Sequence, residues 1–117
     1  MTNSLAANSH DNAIALIDSQ MVQTALELVR DVVDYAKLRE NLANQISELV
    51  LRYENVSASQ DREIFDRDLD RIFAKELTSS LIAAGEHAHA VDVFRKFMEM
   101  SPRLTRDMSD FILNQAK

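Results

Sequence analysis

The chain has 117 residues, with 19 acidic and 13 basic side chains for a net charge of −6, one Gly, one Pro and no Cys. That length makes one domain with a core of its own, and the missing Cys excludes disulfides, thiolate metal centres and thiol nucleophiles. Average usage would give about eight Gly and six Pro, so turn-rich all-β folds and glycine phosphate loops are excluded too, and the acidic balance argues against a general grip on nucleic-acid phosphates.

Residues 1–10 are mostly small and polar and read as a disordered tail. They carry neither the basic start nor the apolar run of a secretory signal. No apolar run is long enough to span a membrane. The cytoplasm is the expected location.

From Asp11 to Glu54 there is no Gly and no Pro. Stepping by seven gives Ile14, Met21, Leu28, Tyr35, Leu42 and Leu49, and the adjacent line gives Ala15, Val22, Val29, Ala36, Ala43 and Val50. On a helix these lines form one wide apolar face. A period held at seven favours a single supercoiled helix, and over residues 11–54 it would be about 66 Å long. Two arrangements follow. Either the helix protrudes and pairs with a second copy, or it folds as a hairpin near Lys37–Asn44, where Arg39 interrupts the stripe and Asn41 and Asn44 are weak helix formers. In the first arrangement Ile14, Met21, Leu28, Leu42 and Leu49 form the interface of a homodimer.

Residues 55–61 (NVSASQD) read as a linker, with Ser59 or Asp61 placed to cap the helix that follows. Residues 62–84 repeat at helical spacing: Phe65, Leu69, Ile72, Phe73, Leu77 and Leu81. Gly85 stands where a left-handed residue closes a helix. A second helix over 86–100 carries Ala90, Val91, Phe94, Phe97 and Met98. Ser101-Pro102 reads as a cap followed by Pro at the first helical position. A third helix over 102–115 carries Leu104, Met108, Phe111 and Ile112. The expected fold is all-α, a single domain over 11–117. It consists of a long N-terminal helix or hairpin (11–56) packed on a three-helix bundle (59–117).

Few residues suggest chemistry. His87 and His89 are two apart, so on a helix they diverge and cannot share a metal. Asp66, Asp68 and Asp70 imitate the start of a calcium loop, but Arg71 and Leu77 stand where Gly and Glu are needed. Interleaved with Arg62, Arg67, Arg71 and Lys75, they read as an ion-paired surface. A helix-turn-helix over 77–97 would present Glu86 to Asp92 to the bases, with no Arg, Lys, Asn or Gln among them. Arg95, Lys96, Arg103 and Arg106 form a small basic patch, suited to a phosphate or acidic partner, or else simply charge decoration of the helix. No nucleophile with a base and no cofactor loop is readable. Catalytic residues, a cofactor and a metal are therefore not expected, nor is a nucleic-acid partner.

One stretch carries a family pattern. Gly85 is followed by Ala90, Phe94 and Pro102, and preceded by Leu81 and Leu77. This resembles the helical hairpin of the tetratricopeptide repeat, which has a small turn residue, then Ala, an aromatic and a closing Pro at these spacings. Thr78 stands where the family has a small residue, and Ala74 where it has a bulky aromatic. The resemblance covers about residues 71–104, a single repeat, and no second repeat is found upstream. It implies that Ala90 lets two helices approach closely while Phe94 fills the groove they leave. It also implies that Ile72, Lys75, Ser79 and Ile82 line a concave, partner-binding face, with Phe73, Leu77 and Leu81 in the core. The alternative places Ile72 and Ile82 beneath the N-terminal helix. The resemblance implies a small acidic protein-interaction module, an adaptor or secretion-type chaperone that holds an apolar partner segment bearing an acid. The other readings are a coiled-coil regulator or inhibitor of phage, plasmid or immunity type, and a dimeric transcription regulator.

Overall fold

The structure is a computed structural model that describes residues 5–54 and 60–115. The described residues form five helices: α1 (Leu5–Asp18), α2 (Gln20–Leu26), α3 (Tyr35–Glu54), α4 (Gln60–Ala83) and α5 (His87–Gln115). There is no strand among the described residues, so the all-α expectation holds. Helix α3 packs between α1 and α4, α5 lies along α4, and α5 returns to touch α1 and α2. The four long helices thus enclose one core, and the molecule is 47 Å in its longest extent.

The N-terminal half is neither one long helix nor a hairpin broken at 37–44. It breaks at Ser19 and again over residues 27–34. Ser19 has extended backbone, and its hydroxyl donates to the Leu16 carbonyl at the end of α1. Asp34 caps α3, its carboxylate accepting from the Lys37 backbone N–H at 3.2 Å. Between them Gln23 acts as a clasp. Its amide nitrogen donates to the Ile17 carbonyl (2.8 Å) and the Tyr35 hydroxyl (2.7 Å), while its oxygen accepts from Arg30 (2.7 Å). The Arg30 guanidinium also lies 4.8 Å from the centre of the Tyr35 ring. The seven-residue line survives both breaks because the intervening turn aims its apolar side chains at the same core. Val29 is buried in that core, and Leu28 and Val33 pack against the core.

The tail is also shorter than expected. Helix α1 begins at Leu5 rather than at Asp11. Ser9 is buried there and its hydroxyl meets that of Ser47 on α3 at 2.7 Å, so this turn is held by packing. Residues 1–4 and the linker residues 55–59, including the cap candidate Ser59, lie outside the described residues; Asp61 lies inside α4 and is not its cap.

The turn between α4 and α5 is set by Gly85, the one residue with positive φ among the described residues, at +81°. The Glu86 N–H donates to the Leu81 carbonyl (2.8 Å) and the Gly85 N–H to the Ile82 carbonyl (3.0 Å), the paired bonds of a Schellman ending. The chain therefore reverses sharply, and α5 runs antiparallel to α4. Phe73 stacks on Phe97 with ring centroids 6.2 Å apart. Near the far end Arg62 of α4 reaches Ser109 (2.6 Å) and Asp110 (2.6 Å) of α5. Burial opposes the charge on Arg62, but its bonds to Asp110 and Asp66 hold its pKa above the ordinary value.

The C-terminal half holds two described helices, not three, because α5 runs through Ser101-Pro102. Pro102 leaves the Met98 carbonyl without its helical donor. The buried Ser101 hydroxyl donates to that same carbonyl at 3.5 Å. An interior Pro costs about 3 kcal/mol. Burying Leu104, Met108 and Ile112 in phase with Phe97 contributes about 1.5–3 kcal/mol each, and so outweighs the break.

Candidate functional site

The α4–α5 hairpin buries Leu69, Phe73, Leu77 and Leu81 of α4 against Val93 and Phe97 of α5. Those six point inward. One turn around each helix, the side chains become small. Ala74 and Thr78 on α4 and Ala90 on α5 leave an open cleft of about 720 Å³ on the outer surface of the pair. Its walls are finished by Lys75, Ser79 and Ile82 on one side and by His87, Val91 and Phe94 on the other.

The cleft is apolar and uncovered. Ile82 is 48% exposed, Val91 58% and Phe94 46%. Met98, also 46% exposed, continues the stripe one turn along α5. A run of large apolar side chains open to water on one face is a mark of an association surface. Arg71 and Lys75, one turn apart, put two cations at one end of the cleft. Neither forms an ion pair among the described residues. Thr78 Oγ1 is buried against the cleft and has no hydrogen-bond partner among the described residues.

Of the four groove residues expected from the sequence, the fold brings Lys75, Ser79 and Ile82 to this cleft. Ile72 is turned away from it. It is half-buried in a smaller, polar cleft against Gln45 and Leu49 of α3. Phe94 does not fill the groove as a core aromatic; it forms the cleft's edge, and the ring stacked inside the hairpin is Phe97. Val91, Phe94 and Met98 had a readable signal in the sequence: spacings of three and four residues on a face adjacent to the core stripe.

The stripe assigned to a second copy is used within the chain. Leu42 and Leu49 are completely buried, and Ile14, Met21 and Leu28 pack against the same core. The premise of a long exposed face is corrected, because α1, α2 and α3 fold onto one another and onto α4 and α5. Arg39, the interruption in that stripe, sits at the surface and bonds Asp18 through both its Nε (2.9 Å) and its terminal nitrogen (2.7 Å).

Neither His of the His-x-His pair approaches a second ligand. His87 lies at the mouth of the cleft, and His89 Nε2 donates to the Leu28 carbonyl at 3.2 Å, tying α5 to the α2–α3 turn. No cluster of three or more His, Asp or Glu side chains able to hold a metal exists among the described residues. Asp66 meets Arg62 at 3.2 Å along α4, and Asp68 lies 4.0 Å from Arg52 of α3, so both are in ion pairs. No helix among the described residues is long and apolar enough to cross a membrane. The chain matches no protein-family model, no curated protein and no solved structure.

Proposed function

We propose that this chain is a small protein-interaction module, an adaptor or secretion-type chaperone. It holds a segment of another protein in the α4–α5 cleft and performs no catalysis. The observation that carries this reading is the exposed apolar stripe of Ile82, Val91, Phe94 and Met98 around an open cleft. Among the described residues most other large apolar side chains are buried, and no helix covers that stripe. The hairpin also keeps features that the tetratricopeptide resemblance implied. They are the turn at Gly85, the buried Ala90, and Lys75, Ser79 and Ile82 on the open face. The coiled-coil regulator reading relied on a stripe that is spent in the core, so the cleft reading is preferred to it.

The test is quantitative affinity capture from the native host with the wild-type chain, Phe94→Asp and Ile64→Asp. Ile64 is 47% exposed on α4 outside the cleft, so Ile64→Asp controls for the chemistry of the change. A protein held by wild type and Ile64→Asp but lost from Phe94→Asp supports the reading. Identical captures from all three would remove it.

A further inference from the structure

We infer that the occupant of the cleft is an amphipathic α-helix of another polypeptide, with a carboxylate on the turn that meets Arg71 and Lys75. This rests on the interaction-module reading and adds the shape and charge of the partner.

The shape follows from backbone hydrogen bonding. Both walls of the cleft are α-helices. Their interior N–H and C=O groups bond within each helix, so the walls offer no free edge to which an extended segment can add as a strand. An extended segment would lose water from its own backbone and gain few partners, which is costly. A helix arrives with its backbone bonds already made and presents only side chains. The cleft suits that arrangement. The small residues Ala74, Thr78 and Ala90 form its floor, between raised Ile82 and Phe94. A ridge of side chains spaced three and four apart packs into such a groove. From Arg71 to Ile82 the α4 wall runs about 16 Å at the helical rise, room for three turns of a partner.

The polarity follows from charge. The chain is acidic overall, at −6, yet this cleft has two cations at one end and no carboxylate in its lining. Arg71 and Lys75 are exposed and have no anion partner among the described residues. Apolar side chains of a partner helix would cover Ile82, Val91 and Phe94, and its acid would reach the cations. A basic helix would meet Arg71 and Lys75 unfavourably there and an acidic protein elsewhere. The rim charges therefore set the direction in which the helix lies and select against the opposite charge.

The experiment is a phage-display selection on the full-length chain. It uses a library of Ala-based helices with one face randomised, mixed with unstructured peptides of the same length. Phe94→Asp serves for counter-selection, and circular dichroism checks that each variant stays folded. The expected winners are helices with apolar residues at i, i+3 or i+4, and i+7, and with Asp or Glu at one end. In fluorescence anisotropy, Arg71→Glu with Lys75→Glu should weaken a winner by about fivefold. Exchanging the peptide's acid for Lys should recover binding to that variant. Enrichment of unstructured peptides that still depend on Phe94 would overturn the helix while leaving the cleft reading intact. Winners indifferent to charge at both ends would overturn the assigned polarity. No enrichment above the Phe94→Asp background would overturn both readings. Self-association in light scattering that Phe94→Asp abolishes would do the same, by making a second copy the occupant.

Discussion

At the scale of single residues, two positions show how local chemistry fixes the chain's course. Gly85 holds φ +81°, and a Cβ built there would meet nothing within 4 Å. The cost of Gly85→Ala is therefore a backbone cost alone, about 1–2 kcal/mol, measurable by urea unfolding with m unchanged. Asp18 illustrates a charge that reports on pH. The bidentate bond from Arg39 holds its carboxyl below the ordinary 3.8, against the opposing effect of partial burial. A depressed acid stabilises the fold above its unfolded pKa, and that contribution is lost as pH falls through the folded value. Both side chains are well exposed, at 47% and 37%, so the pair is worth about 0.2–1 kcal/mol. Asp18→Asn should thus be less stable than wild type at neutral pH by that amount. The two unfolding curves should converge as pH falls below about 3.8. A gap that persists in acid would assign the effect to something other than the ion pair.

At the scale of elements, periodicity revealed the facing of side chains better than where helices end. Phe73, Leu77 and Leu81 are in the core as their spacing predicts. The boundaries at Ser19 and residues 27–34 were hidden, because apolar side chains in a turn can face the same core as those on a helix. Ser19 and Asp34 are both capping residue types, but a regular seven-residue line runs across them. The reverse error occurred at Ser101-Pro102, whose local signature says "start" while the in-phase Leu104, Met108 and Ile112 carry α5 onward. Pro102→Ala restores an N–H to the Met98 carbonyl, and it should raise stability by about 1–2 kcal/mol after allowing for the freer unfolded chain. A fall in the denaturation midpoint would mean that α5 is better broken there. Two aromatic residues on α5 separate core from surface. Phe97 is fully buried against Phe73, so Phe97→Ala should cost about 3–5 kcal/mol. Phe94→Ala, at 46% exposure, should stay near the ±0.5 kcal/mol of surface changes. Thermal unfolding of the two variants side by side tests the assignment of their faces.

At the scale of the whole molecule, the five helices spend the regular apolar stripe of residues 14–49 inside one chain and leave the α4–α5 cleft outside. That division was only partly legible beforehand. Lys75, Ser79 and Ile82 were placed on one face of α4 by the tetratricopeptide resemblance, and the fold brings those three to the cleft. Ile72 was misplaced, because its position one turn aside depends on where α3 docks, and nothing local in the sequence states that. Val91 and Phe94 share a helical face that their spacing shows, but their exposure depends on which helices fail to cover them. The most direct test of the account is a photo-crosslinking residue placed at Phe94 and, separately, at Ile64 in the native host. The account predicts discrete adducts with another polypeptide from position 94 that are missing from position 64. Adducts shared equally by both positions, or formed from position 64 alone, would contradict it.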